Sequence, residues 1–105
     1  MNLKQNKWIK SIKNSKNSVV LDVRTPKEFE EGFIRNSVNL NIYDSHFFLD
    51  EIKKLKKESC IHVYCKSGVR SFQACELMKQ FGFENVFNLE GGILEWKGEI
   101  LNNLS

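Results

Sequence analysis

No run of apolar residues in this chain is long enough for a signal peptide or a membrane span. No internal repeat, low-complexity tract or linker divides it, so residues 1–105 read as one domain. Its three cysteines, at 60, 65 and 75, are too few and too irregular for a disulfide framework or a zinc set. No metal or cofactor is expected. The expectation is a soluble protein of a reducing cytoplasm, which thiolate chemistry would also need. Basic residues are present but lack the aromatic–basic pattern of RNA binding. Lys4, Lys7, Lys10, Lys13 and Lys16 interleave with Trp8, Ile9 and Ile12, as on the solvated side of an amphipathic helix. A net charge of +3 favours small anions slightly, and neither a nucleic-acid nor a membrane partner is expected.

What is present is enough for a packed core: 41% hydrophobic residues, 11% aromatic, with eight phenylalanines supplying much of the volume. Residues 3–15 read as a helix. Val19-Val20-Leu21-Asp22-Val23 reads as a strand covered on both faces. Thr25-Pro26-Lys27-Glu28 has the form of a capping box with proline at the first helical position, and Gly32 is expected to close that helix in a left-handed conformation. A weaker strand is expected over 38–42, and a helix after Asp44 or Ser45 carrying Leu49, Ile52 and Leu55. A strand over 60–64 precedes a helix beginning near Ser71, whose inward face holds Phe72, Ala74, Cys75, Leu77, Met78 and Phe81, with Gly82 as its cap. The last strand spans 86–89. Gly91-Gly92 then turns into a short helix ending near Trp96. Strands alternating with helices at this spacing predict an α/β fold with a parallel sheet between two layers of helices.

In such a sheet, ligands bind beyond the carboxyl ends of the strands. There Cys65-Lys66-Ser67-Gly68-Val69-Arg70 joins a strand to a helix N-terminus. Gly68 relieves the loop sterically, and the helix dipole, Lys66 and Arg70 all favour thiolate over thiol. Cys65 is therefore the candidate nucleophile. Cys60 and Cys75 have packing explanations. His62 and His46 lack any partner pattern. Asp22 and Arg24 sit at a strand end, as an ion pair shaping the loop rather than as an anion trap.

Four segments in order carry a resemblance: Leu21-Asp22-Val23-Arg24, Glu28-Phe29-Glu30-Glu31-Gly32, Cys65 through Ser71, and Gly91-Gly92-Ile93-Leu94-Glu95-Trp96. Over residues 19–96 the chain resembles a single-domain rhodanese, of the thiosulfate sulfurtransferase type. The resemblance implies a three-layer domain whose central, mostly parallel sheet has helices on both faces, with residues 1–16 as an added N-terminal helix. It implies that Cys65 takes the outer sulfur of thiosulfate or another persulfide donor, holds it as a persulfide and passes it to cyanide or a thiol. A sulfur-carrier or desulfurase protein is a further partner of that kind. Loop N–H groups from Lys66 to Arg70 would cradle the sulfur, and Arg70 and Lys66 would hold the oxygens of the leaving anion. Where the family pattern carries Gly-His-Ile, this chain has Gly32-Phe33-Ile34. Two alternatives stand beside it. One is a related cysteine phosphatase, whose arginine lies one residue further from the cysteine than Arg70 does here. The other is a non-catalytic binding module of the same fold.

Overall fold

The computed structural model describes residues 1–102. Its strands are β1 (Asn2–Leu3), β2 (Ser18–Asp22), β3 (Ser37–Asn39), β4 (Cys60–Tyr64) and β5 (Val86–Leu89). The helices are α1 (Gln5–Asn14), α2 (Pro26–Glu31), α3 (Ser45–Ile52) and α4 (Val69–Gln80), with a final 3-10 turn at Ile93–Glu95. The five strands make one sheet in the order β1-β5-β4-β2-β3, and every pairing is parallel.

The near-continuous apolar reading of β2 and β4 is the mark of strands buried on both faces. Leu21, Val23, Ile61 and Val63 point into one layer, against Phe48 and Ile52 of α3 and Ala74, Cys75 and Met78 of α4. Val20, Tyr64 and Leu89 point into the other, against Trp8 of α1. Trp8 is fully buried, donates from Nε1 to the Phe87 carbonyl at 3.2 Å and sits edge-on to Tyr64, His62 and Trp96. Truncating so large a buried aromatic to alanine costs about 3–5 kcal/mol.

Local chemistry sets the element ends. The capping box of α2 forms as expected: Thr25 Oγ1 accepts from the Glu28 N–H, and the Glu28 carboxylate accepts from the Thr25 N–H. Gly82, at φ +94°, closes α4 through Gly82 N–H to Lys79 O and Phe83 N–H to Met78 O. Gly32 differs from expectation. Its backbone is extended, at φ 160°, and it serves by lending its carbonyl to Arg24 Nη2 at 2.7 Å. Asn2–Leu3 is a strand rather than the start of a helix, because its backbone pairs with β5. Phe72 and Phe81, expected inside, are exposed at 47% and 37%; the inward stripe of α4 is Ser71, Ala74, Cys75 and Met78. The expected strand over 38–42 is shorter, although Leu40 and Ile42 still donate to the Asp22 and Val23 carbonyls. Because the sheet is parallel, β2, β4 and β5 end on one edge and deliver Arg24, Cys65 and Glu90 there.

Candidate active site

Gly68 is the N-cap of α4, with φ +103° and no side-chain cap. The orphan N–H groups of the first turn are thus free to serve another acceptor. That acceptor is sulfur. Cys65 Sγ accepts from the Gly68 N–H at 3.1 Å and from Ser71 Oγ at 3.3 Å. Cys65 is 1% exposed, at the floor of the loop. Burial by itself would push its thiol up. The Ser71 hydroxyl, together with the backbone N–H groups of Ser71, Gly68 and Ser67, outweighs burial and holds the thiol below its ordinary value. Hydrogen bonds inside the loop thus lower this thiol. Ser71 was not expected among the site residues. It belongs there because α4 begins at Val69 rather than near Ser71, which turns the hydroxyl inward.

The loop is clamped by β5 and by the turn that follows it. Ile93 N–H donates to the Cys65 carbonyl at 2.9 Å, and Leu94 N–H to that of Lys66 at 3.1 Å. Gly92, at φ +60°, permits this approach: a Cβ there would strike the Lys66 carbonyl and lie 2.7 Å from that of Cys65. Asn88 Nδ2 donates to the Gly68 carbonyl at 3.1 Å, fixing the peptide plane beyond the thiol. Among the named loop residues, Lys66, Ser67 and Val69 are exposed, and Gly68 and Arg70 are half-buried.

Two arginine–carboxylate pairs frame the loop. Arg24 lies against Asp22, with Nε at 2.9 and 3.0 Å from the two oxygens and Nη2 at 2.6 Å from Oδ2. Both side chains are buried, and Asn39 Nδ2 ties the Asp22 and Arg24 carbonyls together at 3.0 and 2.9 Å. Tyr64 lies beside the guanidinium at 5.6 Å, its hydroxyl accepting from the Ile34 N–H, and burial first of all pushes its pKa up to about 12. Arg70, the expected anion ligand, makes a two-point contact with Glu28 at 2.7 and 2.9 Å and lies 5.6 Å from the Tyr43 ring. Lys66 has no ion-pair partner among the described residues.

His46 is exposed, and the other singled-out residues lie in the packing. Cys75 is buried under α4, and burial pushes its thiol up to about 11; Cys60 is a half-buried free cysteine at the start of β4. His62 is fully buried, 2.8 Å from Ser11 Oγ and stacked on Phe87, and burial lowers its pKa. Phe33 stacks on Phe29 at 4.4 Å, so an apolar contact occupies that position. Among the described residues, no cluster of three or more His, Cys, Asp or Glu side chains is placed to hold a metal ion.

Comparison with known proteins places this geometry. The model of the rhodanese-like domain matches residues 5–99. A sulfurtransferase of Allochromatium vinosum is 33% identical over 85 residues, which cover 81% of this chain and 77% of that protein. A tRNA uridine(34) hydroxylase of Pelagibacter ubique is 39% identical over 90 residues, covering 86% of this chain but only 30% of the hydroxylase. Among solved structures, a rhodanese-related protein of Thermoplasma volcanium superposes with a TM-score of 0.79 at 31% identity, covering 95% of this chain and 96% of that one.

Proposed function

The chain belongs to the rhodanese-like domain family, and from that premise we propose that it is a sulfurtransferase working through a persulfide on Cys65. One observation carries the reading: a buried sulfur whose pKa is lowered by a ring of donors at a helix start. The Cys65 thiolate attacks the outer sulfur of thiosulfate or of another persulfide donor. A new S–S bond forms at Sγ, the donor's S–S bond breaks, and its electron pair leaves with sulfite or with the donor thiolate. The persulfide then meets a thiol or cyanide, which takes the outer sulfur and returns the Cys65 thiolate. No net oxidation occurs.

The roles divide by chemistry. N–H groups of Ser67, Gly68 and Ser71, with the Ser71 hydroxyl, stabilise negative charge on sulfur before and after transfer. Lys66 is a mobile cation at the loop's exposed side, Val69 part of the loop wall, and Arg70 a fixed cation whose field reaches Cys65. Asp22 and Arg24 hold the adjacent strand end. The loop from Cys65 to Arg70 is six residues long, which favours a sulfur-sized guest over a phosphate. Two of the relatives bear on different activities, and the reading follows the sulfurtransferase, whose own length this chain largely spans. Incubation with thiosulfate and cyanide should yield thiocyanate, with no turnover by Cys65→Ser and none of a phosphate ester by either protein. Hydrolysis of the ester without thiocyanate would replace this reading with the phosphatase one.

A further inference from the structure

The cations at this site are largely spoken for. Arg70 gives one N–H from each terminal nitrogen to the two oxygens of Glu28, at 2.7 and 2.9 Å. Arg24 is held by Asp22. A cleft of about 300 Å³ adjoins the loop, and its walls include Arg24, Glu28, Glu31, Lys66, Leu94 and Ile100. Among the described residues only Lys66 of these cations lacks a carboxylate partner, and Glu31 lines the same cleft. The formal charges of the walls cancel. A dianion entering this cleft gives up water and meets no net side-chain charge in return, which is costly. Arg70 keeps free N–H donors, so hydrogen bonding remains available; what Glu28 removes is net charge. Leu94 is 66% exposed and Ile100 43%, so the same cleft offers apolar cover to an organic group.

Resting on the sulfur-transfer reading above, we propose that the preferred sulfur donor is a persulfide borne on an organic thiol rather than the thiosulfate dianion, and that Glu28 sets this preference by holding Arg70. The step balances. The Cys65 thiolate bonds to the outer sulfur of R–S–SH, the inner S–S bond breaks, its electron pair leaves as the thiolate R–S⁻, and the proton stays on the transferred sulfur. Glu28 is a specificity-determining residue in this scheme and touches no reacting atom. Its carboxylate is held at about 2, first by the hydrogen bond from Arg70, and stays ionised wherever the protein works.

The test follows sulfur loading of Cys65 by mass under single-turnover conditions, with thiosulfate or cysteine persulfide as donor, in wild type and Glu28→Gln. Glutamine keeps a carbonyl to accept from the Thr25 N–H, so the α2 cap survives. Removing the charge that offsets Arg70 should narrow the preference for cysteine persulfide over thiosulfate about tenfold, mainly through the thiosulfate KM. Sulfate, a dianion that donates no sulfur, should compete with cysteine persulfide weakly in wild type and about tenfold more tightly in the variant. Wild-type sulfate competition decides the matter even if the variant does not fold. Strong inhibition of wild type by sulfate, or a donor ratio unmoved by Glu28→Gln, overturns the assignment while leaving sulfur transfer standing. Absence of sulfur on Cys65 with both donors overturns the sulfur-transfer reading itself, and this inference with it.

Discussion

The two arginine–carboxylate pairs beside the loop have similar atoms and opposite settings. Asp22–Arg24 is almost sealed, with side chains 0% and 6% exposed, and the Gly32 carbonyl and the Tyr64 ring complete the arginine's surroundings. Glu28–Arg70 spans 42 residues of sequence and stays partly in solvent, at 26% and 16%. Desolvated charges on the scaffold must remain paired, so the first pair is a fixed part of the architecture. The second faces water at low cost, so its loss should disturb the fold far less. Position in the fold, not residue chemistry, separates a structural ion pair from an adjustable one.

Breaking the sealed pair should show the largest effect. Arg24→Ala strands the Asp22 carboxylate in the interior, and a denaturant titration should find a loss of about 3–5 kcal/mol. A loss no greater than that of a surface substitution would dissolve the distinction. At the second pair the effect should move from stability to substrate. Arg70→Ala removes a cation and leaves Glu28 uncompensated, so the thiosulfate KM should rise about tenfold or more while the fold persists. An unchanged KM would take Arg70 out of the site. The smallest effect concerns acid. The Glu28 carboxyl sits at about 2 in the folded protein against an ordinary 4.5, chiefly through its hydrogen bond from Arg70. Between these values the unfolded chain takes up a proton that the folded chain refuses. The pair's stabilisation is therefore complete above about 4.5 and fades as pH falls through about 2. Melts of wild type and Glu28→Gln across that window should converge toward the acid end, and parallel curves would count against it.

Legibility followed the range of the interactions. The capping box of Thr25 and Glu28 and the Gly82 turn were readable because every partner lies within a few residues. The parallel sheet was readable from its apolar runs, and the Cys65 loop from a strand, a glycine and a helix in succession. Strand β1 was not, since two residues carry no period and only pairing with Leu89 makes Leu3 a strand. Phe72 and Phe81 misled because apolar character alone does not fix the phase of a helix; the core took Ser71 into that stripe instead. That substitution matters most, because it brings a hydroxyl to Cys65 that a purely apolar face would have lacked. The tie between Glu28 and Arg70 is tertiary, and neither local sequence announces it.

The central claim is that the donors around Cys65 hold a sulfur atom on that residue. Reduced protein should be treated with thiosulfate, polysulfide or cysteine persulfide in the absence of acceptor, then digested and weighed. The account predicts one added sulfur on the peptide carrying Cys65, removed by cyanide or a reducing thiol and never acquired by Cys65→Ser. A wild-type chain that takes up no sulfur from any of these donors, yet hydrolyses a phosphate ester through Cys65, would contradict it.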